Sequence, residues 1–116
     1  MSTRKLYSRR KLLTMMDQNE SEVNDLMKLF VSVVPPMIDN MRISAEEGKW
    51  NEAANIAHKL KSSMRLWEMD TLDEDVVFIE THGKEGTQLD VVAEKLEYLC
   101  MNIEKAINEM KEELGI

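Results

Sequence analysis

The chain has 116 residues, 43% of them apolar, with two prolines, four glycines and one cysteine, which is enough for one core in one domain without metals or disulfides. A net charge of -7 leaves no chain-wide electrostatic basis for binding nucleic acid. The lone Cys100 cannot form an internal disulfide, and with ten methionines and no Cys/His cluster it points to a reducing, cytoplasmic setting.

The first residues run against the overall charge: Arg4, Lys5, Arg9, Arg10 and Lys11 come before the first acid, Asp17. A secretory signal needs a continuous apolar stretch, whereas Leu6-Tyr7 and Leu12-Leu13 are separated by charges, so export is not expected. The basic start is read as a solvated face rather than a docking element. The longest uncharged apolar run, residues 29–38, contains Pro35 and Pro36 and falls short of the ~20 residues that cross a bilayer. No membrane partner is expected.

Few prolines, glycines and aromatics, with Glu, Lys, Leu, Met and Ala at helical spacing, predict an all-α protein. A short helix over residues 8–16 ends in the polar turn Asp17-Gln18-Asn19. Asn19 with Glu22 has the capping-box pattern, and Val23, Leu26, Met27, Phe30, Val33 and Val34 then form an apolar face. Pro35 and Pro36 remove two amide donors, yet Met37, Ile38 and Met41 continue the spacing, so one kinked helix is expected up to Glu47 and Gly48. A helix from Trp50 to Trp67 or Glu68 follows. Thr71 with Glu74 is a second capping box, opening a helix through Val76, Val77, Phe78 and Ile79 that stops at Gly83 and Gly86. After a weaker start signal at Thr87 to Asp90, the apolar series from Leu89 through Leu96, Ile103 and Met110 to Leu114 marks the longest amphipathic helix, closed by Gly115. Four long helices with short loops are the sequence form of an antiparallel up-down four-helix bundle, with the short first helix capping one end.

The absences narrow the chemistry. There is no Gly-rich phosphate loop, so nucleotide binding is unsupported. His58 and His82 are far apart in sequence and Cys100 belongs to a core face, so no metal site is expected. The acid pairs Glu46-Glu47, Asp73-Glu74-Asp75 and Glu112-Glu113 fall on helix ends and exposed faces as solvated charge. Trp50, Trp67 and most of Met27, Met37, Met41, Met64 and Met110 read as packing residues, with Met37 or Met41 a candidate for an adaptable docking surface. His82, near a helix C-terminus and without basic neighbours, reads as structural.

His58 is different. In the helix around it, Ala53, Ile56, Ala57, Leu60, Met64 and Trp67 share one stripe, and His58 projects roughly 140° from its centre. Lys61 and Arg65 lie on its side of the helix, with Ala54, Asn55 and Ser62 as neighbours small or polar enough to let another protein approach the ring. Residues 50–67 carry Lys59, Lys61 and Arg65 against Glu52 alone, a cationic island in an acidic chain. A neutral imidazole can take a phosphoryl group on a ring nitrogen without a dedicated base, and nearby cations would stabilise the charge it adds. Spacing alone also allows a plain polar surface histidine.

Ala57-His58-Lys59-Leu60-Lys61-Ser62-Ser63 resembles the A-H-x-L-K-G-S signature of histidine-containing phosphotransfer (HPt) domains, the carriers of multistep two-component relays. The helix order, the length and the turn Glu46-Glu47-Gly48-Lys49-Trp50 are similar to that family over nearly the whole chain. The resemblance implies that His58 accepts the phosphoryl group, that Lys61 is the phosphate-side cation, and that Glu80, where the family often has Gln or Glu, bonds the other ring nitrogen; Arg65, two turns on from His58, is a further candidate cation by its spacing alone. It implies receiver domains and a hybrid sensor histidine kinase as partners, with Mg²⁺ supplied by the receiver and no cofactor or catalysis of the chain's own. A bundle with one outward histidine needs no second subunit, so a monomer is expected. Two departures, Ser62 and Glu68 where the family usually has glycine, motivate the alternative of a non-phosphorylated helical interaction module.

Overall fold

A computed structural model describes residues 6–116, and among them every regular element is helical. Five α-helices follow in order: α1 (Arg10–Met15), α2 (Glu20–Glu46), α3 (Trp50–Leu66), α4 (Asp73–Glu85) and α5 (Leu89–Leu114). Arg4 and Lys5, part of the basic start, lie outside the described residues.

Local sequence accounts for several boundaries. The Asn19 side chain accepts from the Glu22 amide at 3.1 Å, closing one of the open donors at the start of α2. That helix then runs as one 27-residue element through Pro35 and Pro36. Its buried residues Val23, Met27, Phe30, Val34, Ile38 and Met41 keep one face on either side of the prolines, and packing of that face holds together what the missing amides weaken. At its end Gly48 takes the left-handed φ of 73°, and Lys49 N donates to Ser44 O at 2.8 Å, which turns the chain directly into α3.

The α3–α4 turn repeats this device with a different residue. Glu68 has φ 55°, and Met69 N donates to Met64 O at 2.9 Å. A side chain in this conformation is strained, which explains why glycine suits the position. Glu68 has a compensating contact: its carboxylate accepts the Lys11 amide at 3.3 Å in the first turn of α1 and faces Arg10 at 3.7 Å. Its carboxyl is held below the usual range, chiefly by the Ser8 hydroxyl, with the Lys11 amide and Arg10 adding to it. A Glu68→Gly protein is expected to stay within about 1 kcal/mol of the natural stability, because relief of strain and loss of the clamp oppose each other. The Lys11 amide should nevertheless exchange with solvent faster; unchanged exchange there would show that the carboxylate holds nothing.

The second capping box does not form. Asp70–Leu72 is a 3-10 turn, and α4 begins after Leu72 without a side-chain cap, because Leu72 is buried and draws this segment into the core. Gly83 does not end α4 either. It lies inside the helix and is buried, and Gly86 closes the helix, with His82 and Lys84 in the last turn.

The core is built from one face of each long helix. Successive helices pack on one another, and α2 also packs on α5. Arg42 of α2 joins Glu97 at 2.8 Å and Glu104 at 2.7 Å on α5, while Lys95 of α5 reaches Asp75 of α4 at 3.1 Å. Cys100 is fully buried, and burial pushes its thiol up to about 12. At one end of the molecule Tyr7 donates to Glu113 at 2.8 Å and meets the Trp67 ring edge-on, and Ser8 N donates to Trp67 O. Arg9 joins Glu113 and Asn24, each at 2.8 Å.

Two positions depart from the apolar face read for α2. Val33 is 47% exposed, whereas Val31 is buried. Val33, Leu29 and Met37 border an open apolar groove whose other wall is Ser63, Leu66 and Trp67. Met41 is fully buried in the core and offers no docking surface, while Met37 lines the groove.

Candidate functional site

The site lies where α3 meets α4, and small residues set how closely the two approach. Ala54, one turn before His58, is fully buried. A Cβ placed on Gly83 would come within 3.1 Å of the Ala54 Cβ and 3.2 Å of the Trp50 carbonyl oxygen. Ala54 is therefore not part of an exposed docking surface, and that expectation is corrected. The buried arc of α3 is wider than its apolar stripe because α3 packs against α4 as well as α2. Alanine and glycine facing each other let two backbones close, as small residues do wherever helices approach tightly.

One turn along from this contact, the two helices present His58 and Glu80 to each other. His58 Nδ1 and Glu80 Oε1 are 2.5 Å apart, and Lys61 Nζ donates to Glu80 Oε2 at 2.9 Å. Lys84, one turn further along α4, has its ammonium 4.0 Å from Oε1. Glu80 is only 16% exposed, and its carboxyl is held below the usual carboxylate range, chiefly by the Lys61 hydrogen bond and against the effect of burial, with His58 contributing. An ionised carboxylate can only accept, so the ring presents Nδ1–H to it. In the neutral ring the lone pair is then on Nε2, on a side chain that is 58% exposed.

Arg65 is placed otherwise than its spacing implies. Nε and Nη2 donate to the two Asp73 oxygens at 2.8 and 3.2 Å, so the guanidinium is occupied at the α3–α4 turn rather than directed at the ring. The cationic island is likewise offset. Lys61 and Arg65 face Glu80 and Asp73, both carried by α4 and invisible to any count over α3 alone. Asn55 and Ser62 are exposed beside the ring. Asn55 and Lys59 also border a polar hollow with Asn40 of α2 and Glu47 just after it. His82 points elsewhere: its Nδ1 is 2.7 Å from Thr87 Oγ1 and its ring centre is 4.3 Å from that of Phe78.

Lys84 and Gly83 were not legible as site residues. Lys84 is four residues after Glu80 on the same helix, a spacing that would have pointed to it once Glu80 was chosen. Gly83 reads in sequence as a helix stop, and only the neighbouring helix reveals its packing role.

Among the described residues no group of three or more His, Cys, Asp and Glu side chains is disposed to hold a metal ion, and no helix is long and apolar enough to cross a membrane.

Among the described residues every regular element is helical, and the His58 imidazole faces solvent with its inner nitrogen fastened to a carboxylate and lysine ammonium groups close by. The Hpt domain family matches residues 25–114, and the chain belongs to that family of phosphotransfer carriers in two-component systems. No curated protein and no solved structure gives a significant match.

Proposed function

We propose that His58 accepts a phosphoryl group from the aspartate of a receiver domain and passes it to another receiver. The observation that carries this reading is the exposed ring held at Nδ1 by Glu80, which leaves a nucleophilic Nε2 accessible to a docking partner. Lys61 is the phosphate-side cation, because its ammonium is held on the same carboxylate as the ring and can shift from Glu80 to a phosphoryl oxygen. Arg65 can add to this only after leaving Asp73. The receiver supplies the acidic pocket and its Mg²⁺, so this chain acts as co-substrate without a cofactor of its own.

The docking surface in this reading comprises Asn55, Ser62 and the α2–α3 groove bordered by Leu29 and Val33, which are 58% and 47% exposed. A serine at position 62 is exposed and small, so the departure from glycine leaves the ring open. The same reading takes the chain as a single domain and a monomer, folded as an antiparallel up-down four-helix bundle with α1 as an end cap. It acts in the cytoplasm between a hybrid sensor histidine kinase and response-regulator receivers.

The test is incubation with phosphorylated receiver domains and Mg²⁺. Acid-labile, base-stable phosphate should appear on the natural protein and be absent from a His58→Gln variant that retains its helical circular dichroism. Label kept by that variant would move the site elsewhere. A protein that binds receivers but takes no label from any of them would be an interaction module instead.

A further inference from the structure

One polar side chain beside His58 is left without a partner, and the direction of the ring gives it a use that rests on the proposed role of His58. We propose that the Ser62 hydroxyl donates a hydrogen bond to a phosphoryl oxygen carried on His58 Nε2, so that the group is held by a neutral donor as well as by Lys61.

The neighbouring helices fix the direction of the ring. Nδ1 is 2.5 Å from Glu80 Oε1 on α4, so Nε2, across the five-membered ring, is turned away from α4. At about 100° per residue, Lys61 lies about 60° round α3 from His58 on the α4 side, where its ammonium is bound to Glu80. Ser62 lies about 40° round in the opposite sense, the side on which Asn55 and Lys59 face Asn40 of α2. Residues four apart on a helix have Cβ atoms about 5–6 Å from each other, and each Cα–Cβ bond tilts toward the helix N-terminus. The Ser62 side chain therefore leans back toward His58, on the side to which Nε2 is turned. Asn55, one turn before His58, leans away from it.

The Ser62 hydroxyl is also uncommitted. Inside a helix such a group often turns back onto the carbonyl one turn earlier, as the Thr14 hydroxyl does onto Arg10 O at 3.0 Å. Among the described residues the Ser62 hydroxyl makes no such bond, and the side chain is exposed. The cations nearby are engaged: Arg65 with Asp73, Lys61 and Lys84 around Glu80, and Lys59 along the hollow at Asn55. A phosphoryl group brings about two negative charges and three acceptor oxygens, more than one lysine shared with a carboxylate can satisfy. A hydroxyl bonded to the dianionic group loses part of that bond as the loose, metaphosphate-like transition state forms, so it prolongs the phosphorylated state. Glycine at this position would offer no donor.

Phosphoramidate, a small-molecule donor, can phosphorylate His58 without any receiver, which separates this test from the relay itself. The natural chain, Ser62→Ala and Ser62→Gly are charged in this way, and decay of the ³¹P signal that a His58→Gln protein lacks is followed. The natural protein should keep its phosphate several-fold longer than either variant, and its ³¹P resonance should stand apart from the position the two variants share. Any other pattern overturns the proposal: equal lifetimes in all three exclude a bond from the hydroxyl, and a glycine variant that matches the natural protein while the alanine variant differs would trace the effect to bulk. If no receiver charges His58 the relay reading fails, yet these lifetimes remain decisive for Ser62.

Discussion

A Gly83→Val protein is expected to lose about 2–3 kcal/mol of stability, the upper part of the roughly 1–3 kcal/mol found when bulk is forced into a filled contact. The first added carbon already lies 3.1 Å from the Ala54 Cβ and 3.2 Å from the Trp50 carbonyl oxygen. One of these is backbone at the start of α3, which cannot swing aside as a long side chain would. A β-branched residue adds two further methyl groups where only a hydrogen now sits, so α3 and α4 must move apart. The damage extends beyond stability, because His58 and Glu80 are one turn from this contact and their hydrogen bond bridges the same two helices. Urea unfolding should show the lower midpoint, and the His58 ring ¹⁵N signals should show a loosened Nδ1 contact. A Gly83→Val protein with the natural midpoint and unchanged ring signals would mean that this small-residue contact does not set the helix spacing.

Trp67→Ala should have a still larger effect on stability, about 3–5 kcal/mol from the total of roughly 5–15 kcal/mol usual for a domain. Trp67 is 3% exposed and meets Phe30 of α2 and Tyr7 edge-on, with ring centres 6.1 and 6.3 Å away. It thus joins α2, the end of α3 and the segment leading into α1, and it forms one wall of the groove beside the His58 face. Removal would leave a cavity that three elements cannot collapse to fill, and Tyr7 would lose its main aromatic partner. Thermal unfolding should show the loss, and limited proteolysis after Arg10 or Lys11 should accelerate as α1 detaches. An unchanged melting temperature together with unchanged cleavage would show that Trp67 is a spectator.

Much of the helix layout was readable from local chemistry. The Asn19 cap, the extent of α3 and the long α5 follow from side-chain spacing and end signals within each segment. Likewise, the exposure of His58 follows from its angle to the apolar stripe of its own helix. The errors share one origin, since each involved a residue whose environment comes from another helix. Ala54 looked accessible because nothing on α3 covers it, and α4 does. Thr71 looked like a cap because its segment has the right residues, but burial of Leu72 prevails there. Val33 seemed to share the buried face, whereas it borders the open groove against the end of α3.

By itself, then, the sequence determined that this protein is helical, where its main helices run, and that one imidazole turns away from the core, because those properties depend on periodicity and on residues within a few positions of each other. Tertiary structure alone decided the electrical state of that imidazole. Glu80 and Asp73 arrive from α4 to balance Lys61 and Arg65, and Ala54 against Gly83 fixes how near they come. Charge interactions and hydrogen bonds depend on distances of a few ångströms in space, and only packing brings residues remote in sequence to such distances.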